Sequence, residues 1–198
     1  MFTGIIQAVG RVAAVKSAGQ SAVLTIEAGG LDMSDVAVGN SIACNGVCLT
    51  VTALVPGGFA VDLSQETLRV TAGFGAGNAI NLEKSLRLAD RLGGHLVSGH
   101  VDATGAVRAV KTVEGNREMT IAFAHDLACY FARKGSVTVN GVSLTINALD
   151  GDSFTVNLIP HTLAATNLGE LKKDSLVNLE VDLVARYVER MLDKDAQR

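Results

Sequence analysis

Ser41-Ile42-Ala43-Cys44-Asn45-Gly46-Val47-Cys48-Leu49-Thr50-Val51-Thr52-Ala53-Leu54 decides how the rest of the chain is read, because it occurs twice. The second copy is Ser136-Val137-Thr138-Val139-Asn140-Gly141-Val142-Ser143-Leu144-Thr145-Ile146-Asn147-Ala148-Leu149, each residue 95 positions on, and eight of the 14 are identical. Asn-Gly between apolar, β-branched runs is a strong hairpin signal. Both central residues of a type I′ turn need φ > 0, which Asn tolerates and Gly adopts freely. Two such hairpins in register predict a duplicated fold.

The duplication runs outward from the hairpins. At the same offset Met1-Phe2-Thr3-Gly4-Ile5-Ile6 falls on Leu96-Val97-Ser98-Gly99-His100-Val101, Gly10 on Gly105 and Val12 on Val107. Downstream, Phe59–Leu63 falls on Phe154–Leu158 and Thr67-Leu68 on Thr162-Leu163. The offset becomes 97 where Ile80-Asn81-Leu82-Glu83 meets Val177-Asn178-Leu179-Glu180. A repeat this long is a whole domain, since solenoid units run to roughly 20–50 residues. The expected division is 1–94 for the first domain, 95–180 for the second and 181–198 for a terminal helix, with Arg91-Leu92-Gly93-Gly94 at the boundary.

Composition narrows the class. Of 198 residues 48% are hydrophobic and only 19% charged, which points to burial between domains or subunits beyond two small cores. No apolar run approaches the roughly 20 residues that span a bilayer, so no membrane segment is expected. The start Met1-Phe2-Thr3-Gly4 lacks a basic signal-peptide region, and a cytoplasmic location is expected. Cys44, Cys48 and Cys129 are irregularly spaced, which offers neither a disulfide framework nor a metal site. A net charge of −3 without a basic block argues against nucleic acid as a partner.

Read in order, the chain is mostly short strands: Gly4 to Val15 with a bend at Gly10, Ala22 to Glu27, the two arms of the hairpin, Phe59 to Leu63, and Ala79 to Glu83. Gln65 to Arg69 fits one helical turn, and His125 to Arg133 a short helix in the second copy. Six short strands with Gly-rich links favour closure, which removes exposed edges. The expectation is therefore an all-β chain: two tandem, homologous six-stranded Greek-key β-barrels with a C-terminal α-helix. Val181, Val184, Ala185, Val188, Met191 and Leu192 recur at helical spacing, with Asp182, Arg186, Glu189, Arg190 and Lys194 between them. That stripe packs back on a barrel or, as favoured here, meets its equivalents in a symmetric oligomer.

Met1-Phe2-Thr3-Gly4-Ile5, the paired Ser-x-x-x-Asn-Gly-x-[Cys/Ser]-Leu-Thr hairpins, Gly93-Gly94-His95-Leu96-x-Ser98-Gly99-His100-Val101 and Ile159-Pro160-x-Thr162-Leu163 together resemble the riboflavin synthase family over essentially the whole chain. The resemblance implies dismutation of two 6,7-dimethyl-8-ribityllumazine molecules to riboflavin and 5-amino-6-ribitylaminouracil, without metal or cofactor. It also implies a homotrimer held by C-terminal helices, and association with lumazine synthase as a further partnership. Its pocket would form where the first barrel of one subunit meets the second barrel of another. The same resemblance implies a pocket that includes Leu49, Thr50, Asp62, Leu63, Ser64, Gln65, Glu66, Thr67, Lys134, Leu144, Ile159, Pro160, His161, Thr162, Leu163 and Ala164.

A duplicated domain suits two copies of one ligand, and a donor–acceptor reaction needs the two pockets to differ. Matched positions that differ are therefore informative: Phe2 against Val97, Ile5 against His100, Cys48 against Ser143, Asp62 against Asn157, and Glu66 against His161. His100 is the candidate proton shuttle, because imidazole titrates near neutrality. Cys48 or Ser41 would supply or position a nucleophile for C7 of one lumazine, as a bound water also would. Ser143 and Thr145 would hold the other pteridine, and Gly4, Ile5 and Ile6, with Gly99, His100 and Val101, would offer backbone groups to the pyrimidine edge. Bland readings stand beside these. Cys48 also fits a small buried hydrophobe, Phe2 a core aromatic, Thr50 and Thr145 ordinary strand residues, His95 a structural histidine, His125 a helix-start residue, and His161 an aid to ribityl hydroxyls. A non-catalytic lumazine or flavin carrier of the same fold is the competing function.

Overall fold

The computed structural model describes residues 1–192. The first copy supplies β1 (Ala8–Ala18), β2 (Ser21–Glu27), β3 (Ser41–Cys44), β4 (Val47–Val55), β5 (Gly58–Leu63) and β6 (Ala79–Lys84), with α1 (Gln65–Val70) between the last two strands. The second supplies β7 (Ala103–Val113), β8 (Asn116–Ala122), β9 (Ser136–Val139), β10 (Val142–Asp150), β11 (Ser153–Leu158) and β12 (Leu176–Val181), with α2 (Pro160–Ala165) and a 3₁₀ turn (Asn167–Glu170) before the last strand. A second 3₁₀ turn covers His125–Tyr130, and α3 (Leu183–Leu192) follows the second barrel.

Each copy closes into an antiparallel barrel. Around the first the order is β1-β2-β5-β4-β3-β6, and the second has the same order in its own strands, β7-β8-β11-β10-β9-β12. Alternate side chains point inward, so Ile42, Cys44, Val47, Leu49 and Val51 of the first hairpin join the core of barrel one. The opposite face of that hairpin carries Ser41, Ala43, Cys48 and Thr50, which the register pairs as Ser41–Thr50 and Ala43–Cys48. Both barrel interiors are filled by buried apolar side chains. Any ligand therefore binds outside a barrel, between barrels or between subunits.

The Asn-Gly turns are where the barrels meet. Asn45 and Asn140 both have φ 48°, and Gly46 and Gly141 have φ 81° and 79°. The turns stack backbone on backbone: a Cβ added to Gly46 would lie 2.7 Å from the Gly141 nitrogen, and one on Gly141 2.7 Å from the Gly46 nitrogen. Asn81 of β6 and Asn178 of β12 seal this contact. The Asn81 Nδ2 donates to the Asn140 carbonyl at 2.9 Å, and the Asn178 Nδ2 to the Asn45 carbonyl at 2.9 Å. Phe2 and Val97, themselves repeat mates, pair with each other as an isolated bridge, so an approximate two-fold passes between them.

Two expectations are corrected. Gly4–Gln7 is not part of β1; it leaves barrel one as an extended segment, because Gly4 turns at φ 76° and its neighbours are held elsewhere. The β1–β2 register shifts between Val12 and Ala14. Val181, assigned to the terminal helix by its period, instead ends β12 opposite Val137 and is buried. Lys194 and the rest of 193–198 lie outside the described residues.

Replacing Gly46 or Gly141 by Ala is expected to destabilise the chain by more than about 1–2 kcal/mol, the cost of left-handed geometry alone. Gly57, at φ 74° with no atom within 4 Å of an added Cβ, is the control for that strain. Thermal unfolding checks it. Gly46→Ala should lower Tm by several degrees more than Gly57→Ala, and equal losses would contradict the turn-on-turn contact.

Candidate active site

The segments that leave their barrels build the site. Gly4 and Ile6 belong to the first copy yet pack against the second. The Ser143 amide donates to the Gly4 carbonyl at 2.8 Å, and Ile6 packs on the core of barrel two. Conversely, the Cys48 amide donates to the Gly99 carbonyl at 2.8 Å, and Val101 packs on the core of barrel one. No side chain fits at the crossing points. A Cβ on Gly4 would lie 2.6 Å from the Ser143 Cβ, and one on Gly99 2.7 Å from the Cys48 Cβ.

Two carboxylates pin these segments. Glu83 accepts from the Thr3 amide at 2.7 Å, the Thr3 hydroxyl at 2.7 Å and the Gly4 amide at 3.0 Å. Glu180 accepts from the Ser98 amide at 2.7 Å, the Ser98 hydroxyl at 2.6 Å and the Gly99 amide at 3.0 Å. Both side chains are buried. Burial pushes the Glu83 carboxyl above its ordinary value, against the pull of its three donors.

The result is two matched surfaces on the outsides of the barrels. On barrel one, Gly99 lies against Cys48, and Val101 packs on the core that contains Leu49. The β4–β5 ladder ends at the Val51–Val61 pair, which brings the strand ends carrying Thr50 and Asp62 together. Asp62, Leu63, Ser64, Gln65, Glu66 and Thr67 lead on from there into α1, which Ser64 caps by accepting from the Thr67 amide at 3.1 Å. On barrel two, Gly4 lies against Ser143, and Ile6 and Leu144 pack on the same core. The corresponding ladder ends at Ile146–Val156, and Ile159, Pro160, His161, Thr162, Leu163 and Ala164 follow into α2. Repeat alignment alone would have assigned Gly4–Ile6 to the first barrel's site; the crossing assigns it to the second.

Individual side chains differ in what they can reach. Leu49 and Leu63 are core residues, so only their backbone faces outward. Phe2 is fully buried with Ala43 and Val97 and against Cys48, which makes it a wedge beneath the site rather than part of its surface. Ser41 sits one outward pair further along from Cys48, in a small cavity of about 230 Å³ with Asp35, Asn40, Lys84 and Arg87. His100 is exposed, as are Thr50, Thr145 and His161. Lys134 has φ 67° at the position where the first copy has Gly39, a backbone cost of the kind that functional sites carry.

His95 has the contact that sequence reading undervalued. Its Nδ1 lies 2.7 Å from the Ser143 hydroxyl, in hydrogen-bonding contact. Burial holds the imidazole below its ordinary value, with Asp182 and Glu180 pulling the other way, so the ring stays neutral near pH 7. Gly94 makes room: a Cβ there would lie 2.9 Å from the Ser143 Oγ.

Known proteins can now be set beside this geometry. The lumazine binding domain model matches residues 3–85 and again 98–182. The riboflavin synthase of Photobacterium phosphoreum is 45% identical over 97% of this chain and 89% of its own length. The chain belongs to the riboflavin synthase family. Within it, the Mycobacterium tuberculosis riboflavin synthase is 44% identical over 97% of this chain and 98% of its own. Among solved structures, LumP complexed with riboflavin is 25% identical, with a TM-score of 0.84 over 91% of this chain and 99% of that one. LumP complexed with 6,7-dimethyl-8-(1′-D-ribityl) lumazine gives a TM-score of 0.81 over the same shares.

The two perturbed histidines should titrate apart. His95 is expected below the ordinary 6.5 because of burial, and exposed His125 above it because the Asp152 carboxylate lies 2.6 Å away. The stability that neutral His95 contributes is complete above pH 6.5 and is lost as pH falls through the lower folded value. Proton NMR titration checks this, and a His95 midpoint at or above that of His125 would contradict the buried hydrogen-bonded placement.

Proposed function

We propose that the chain is a riboflavin synthase that transfers a four-carbon unit between two molecules of 6,7-dimethyl-8-ribityllumazine, giving riboflavin and 5-amino-6-ribitylaminouracil. The observation that carries this is the pair of matched but unequal surfaces, each made of one barrel's hairpin and the other copy's crossing segment. Family membership at 45% identity supports the same reading. The reaction needs two like ligands in unlike surroundings, and the pseudo-two-fold supplies the first condition while Cys48 against Ser143 supplies the second.

Roles follow from the chemistry each surface offers. On barrel two, the Ser143 hydroxyl with neutral His95 behind it forms a proton path for a lumazine held by Ser143, Thr145 and the Gly4–Ile6 backbone. On barrel one, His100 is the exposed imidazole that moves a proton, and Cys48 or a water beside it adds to C7 of the other lumazine. Phe2 acts from below as a positioning wedge. Lys134 and Ser41 complete the surfaces across a subunit boundary.

A partner subunit must supply that boundary, because the two surfaces of one chain lie on separate barrels. We assign that task to a homotrimer held by α3. No residue of α3 is buried, and Val184, Met191 and Leu192 are 62%, 67% and 74% exposed, an apolar face left open for equivalents from other subunits. A cytoplasmic setting fits the thiols, and association with lumazine synthase would deliver the substrate.

The alternative is a carrier that binds lumazine without turnover, a reading that draws on the likeness to LumP. Mixing the protein with lumazine separates the two: growing riboflavin emission supports the enzyme, while bound lumazine without product supports the carrier. The same assay ranks the effects. Juxtaposing reactants is worth effective molarities of about 10⁵–10⁸ M, whereas one acid or base contributes about 10²–10⁴-fold. Because Val181 closes β12, the chain should be ended after Asp182. That truncation is expected to cost more activity than His100→Ala, and full turnover from the resulting monomer would overturn the assembled site.

A further inference from the structure

The buried glutamates offer more than stability. Between Phe2, bridged to Val97, and Gln7, whose amide donates to the Leu82 carbonyl at 2.9 Å, the first crossing segment has few anchors. They are the Glu83 carboxylate, the Gly4–Ser143 hydrogen bond, and the His95 amide donating to the Thr3 carbonyl at 3.2 Å. The Thr3 hydroxyl, while donating to Glu83, also accepts from the Ile5 amide at 3.2 Å, so the clamp reaches the residue that faces the ligand surface. The second crossing segment has the matching clamp from Glu180 to Ser98 and Gly99, one residue before His100.

No Lys or Arg side chain hydrogen-bonds or ion-pairs with either carboxylate among the described residues. A buried charge held by no lysine or arginine is costly, and its retention needs converging donors. Here both oxygens of each glutamate are used, two donors on one and one on the other. A neutral amide cannot reproduce that pattern: a glutamine Nε2 would point a donor at the glycine N–H that the carboxylate now receives.

Resting on the two-site reading above, we infer that Glu83 and Glu180 are crossed positioning residues: Glu83 of barrel one sets the site on barrel two, and Glu180 of barrel two sets the site on barrel one. Each works through a glycine that fits flush against the opposite hairpin, Gly4 on Ser143 and Gly99 on Cys48. The control of each site therefore lies in the barrel that does not carry it. A glutamate with a purely structural role would act on its own barrel or on both sites alike.

Four double-mutant cycles in the full-length protein test this, read as kcat/KM for riboflavin formation and separately as lumazine affinity by fluorescence titration. Glu83→Gln and Glu180→Gln should each lower kcat/KM by about tenfold or more, the scale of a lost hydrogen bond to a charged group. Glu83→Gln should be non-additive with Ser143→Ala and multiplicative with Cys48→Ser. Glu180→Gln should show the reverse. Coupling within each barrel, Glu83 with Cys48 and Glu180 with Ser143, would overturn the inference, as would uniform independence. Where a glutamine variant fails to fold, Thr3→Val and Ser98→Ala remove one donor from each clamp and carry the same cycles. If the wild type binds lumazine without turnover, the function reading falls, and the affinity cycles still decide the crossed assignment.

Discussion

The contact that everything else depends on is the meeting of two Asn-Gly turns with no side chain between them. Left-handed φ at Asn45, Gly46, Asn140 and Gly141 lets the two backbones touch, and Asn81 and Asn178 reach across to the opposite turn's carbonyls. The further oxygens are taken as well: the Asn167 amide donates to Asn81 at 2.7 Å and the Ala72 amide to Asn178 at 2.7 Å. A junction made of backbone and fully used amides tolerates little sliding, because a shift would strand buried polar groups. It fixes the two barrels in one relation, and only then can a segment of one be threaded against the hairpin of the other at a tolerance set by glycine.

Within that frame the symmetry is broken in a few places. His95 lies behind Ser143, its Nδ1 2.7 Å from the hydroxyl. Lys134 takes the left-handed position that Gly39 holds in the first copy. Gln7 accepts from the Lys84 amide at 2.9 Å, and its mate Asp102 accepts from the Val181 amide at 2.8 Å while also pairing with Arg186 of α3. The second copy thus ties the strand leading out of the His100 segment to the terminal helix, a link the first copy lacks. An approximate two-fold with local exceptions is the arrangement a reaction between two identical molecules requires.

Much of this was legible in the residues. The repeated hairpin, the strand order it implies and the short helix after Leu63 follow from period-two patterning and turn chemistry, which act locally. The repeated Asn-Leu-Glu was visible too, but its meaning was not: Asn81 and Glu83 act on residues 59 and about 80 positions away, a separation that no local pattern reports. Gly4–Gln7 looked like strand because Ile5 and Ile6 are β-branched and run into the apolar residues of β1, and the carboxylate that pulls it away lies in β6. Val181 satisfies both the last strand's burial and the helix's period, so sequence could not place it. His95 was undervalued because its partner Ser143 lies 48 positions away, beyond the reach of any local pattern.

The most direct test of the crossed architecture is a structure of the full chain with 6,7-dimethyl-8-ribityllumazine bound at both surfaces. One ligand should touch Gly4–Ile6 together with Ser143–Thr145, and the other Gly99–Val101 together with Cys48–Thr50. Ligands each held by residues of a single repeat, Gly4–Ile6 with Cys48–Thr50 and Gly99–Val101 with Ser143–Thr145, would contradict it.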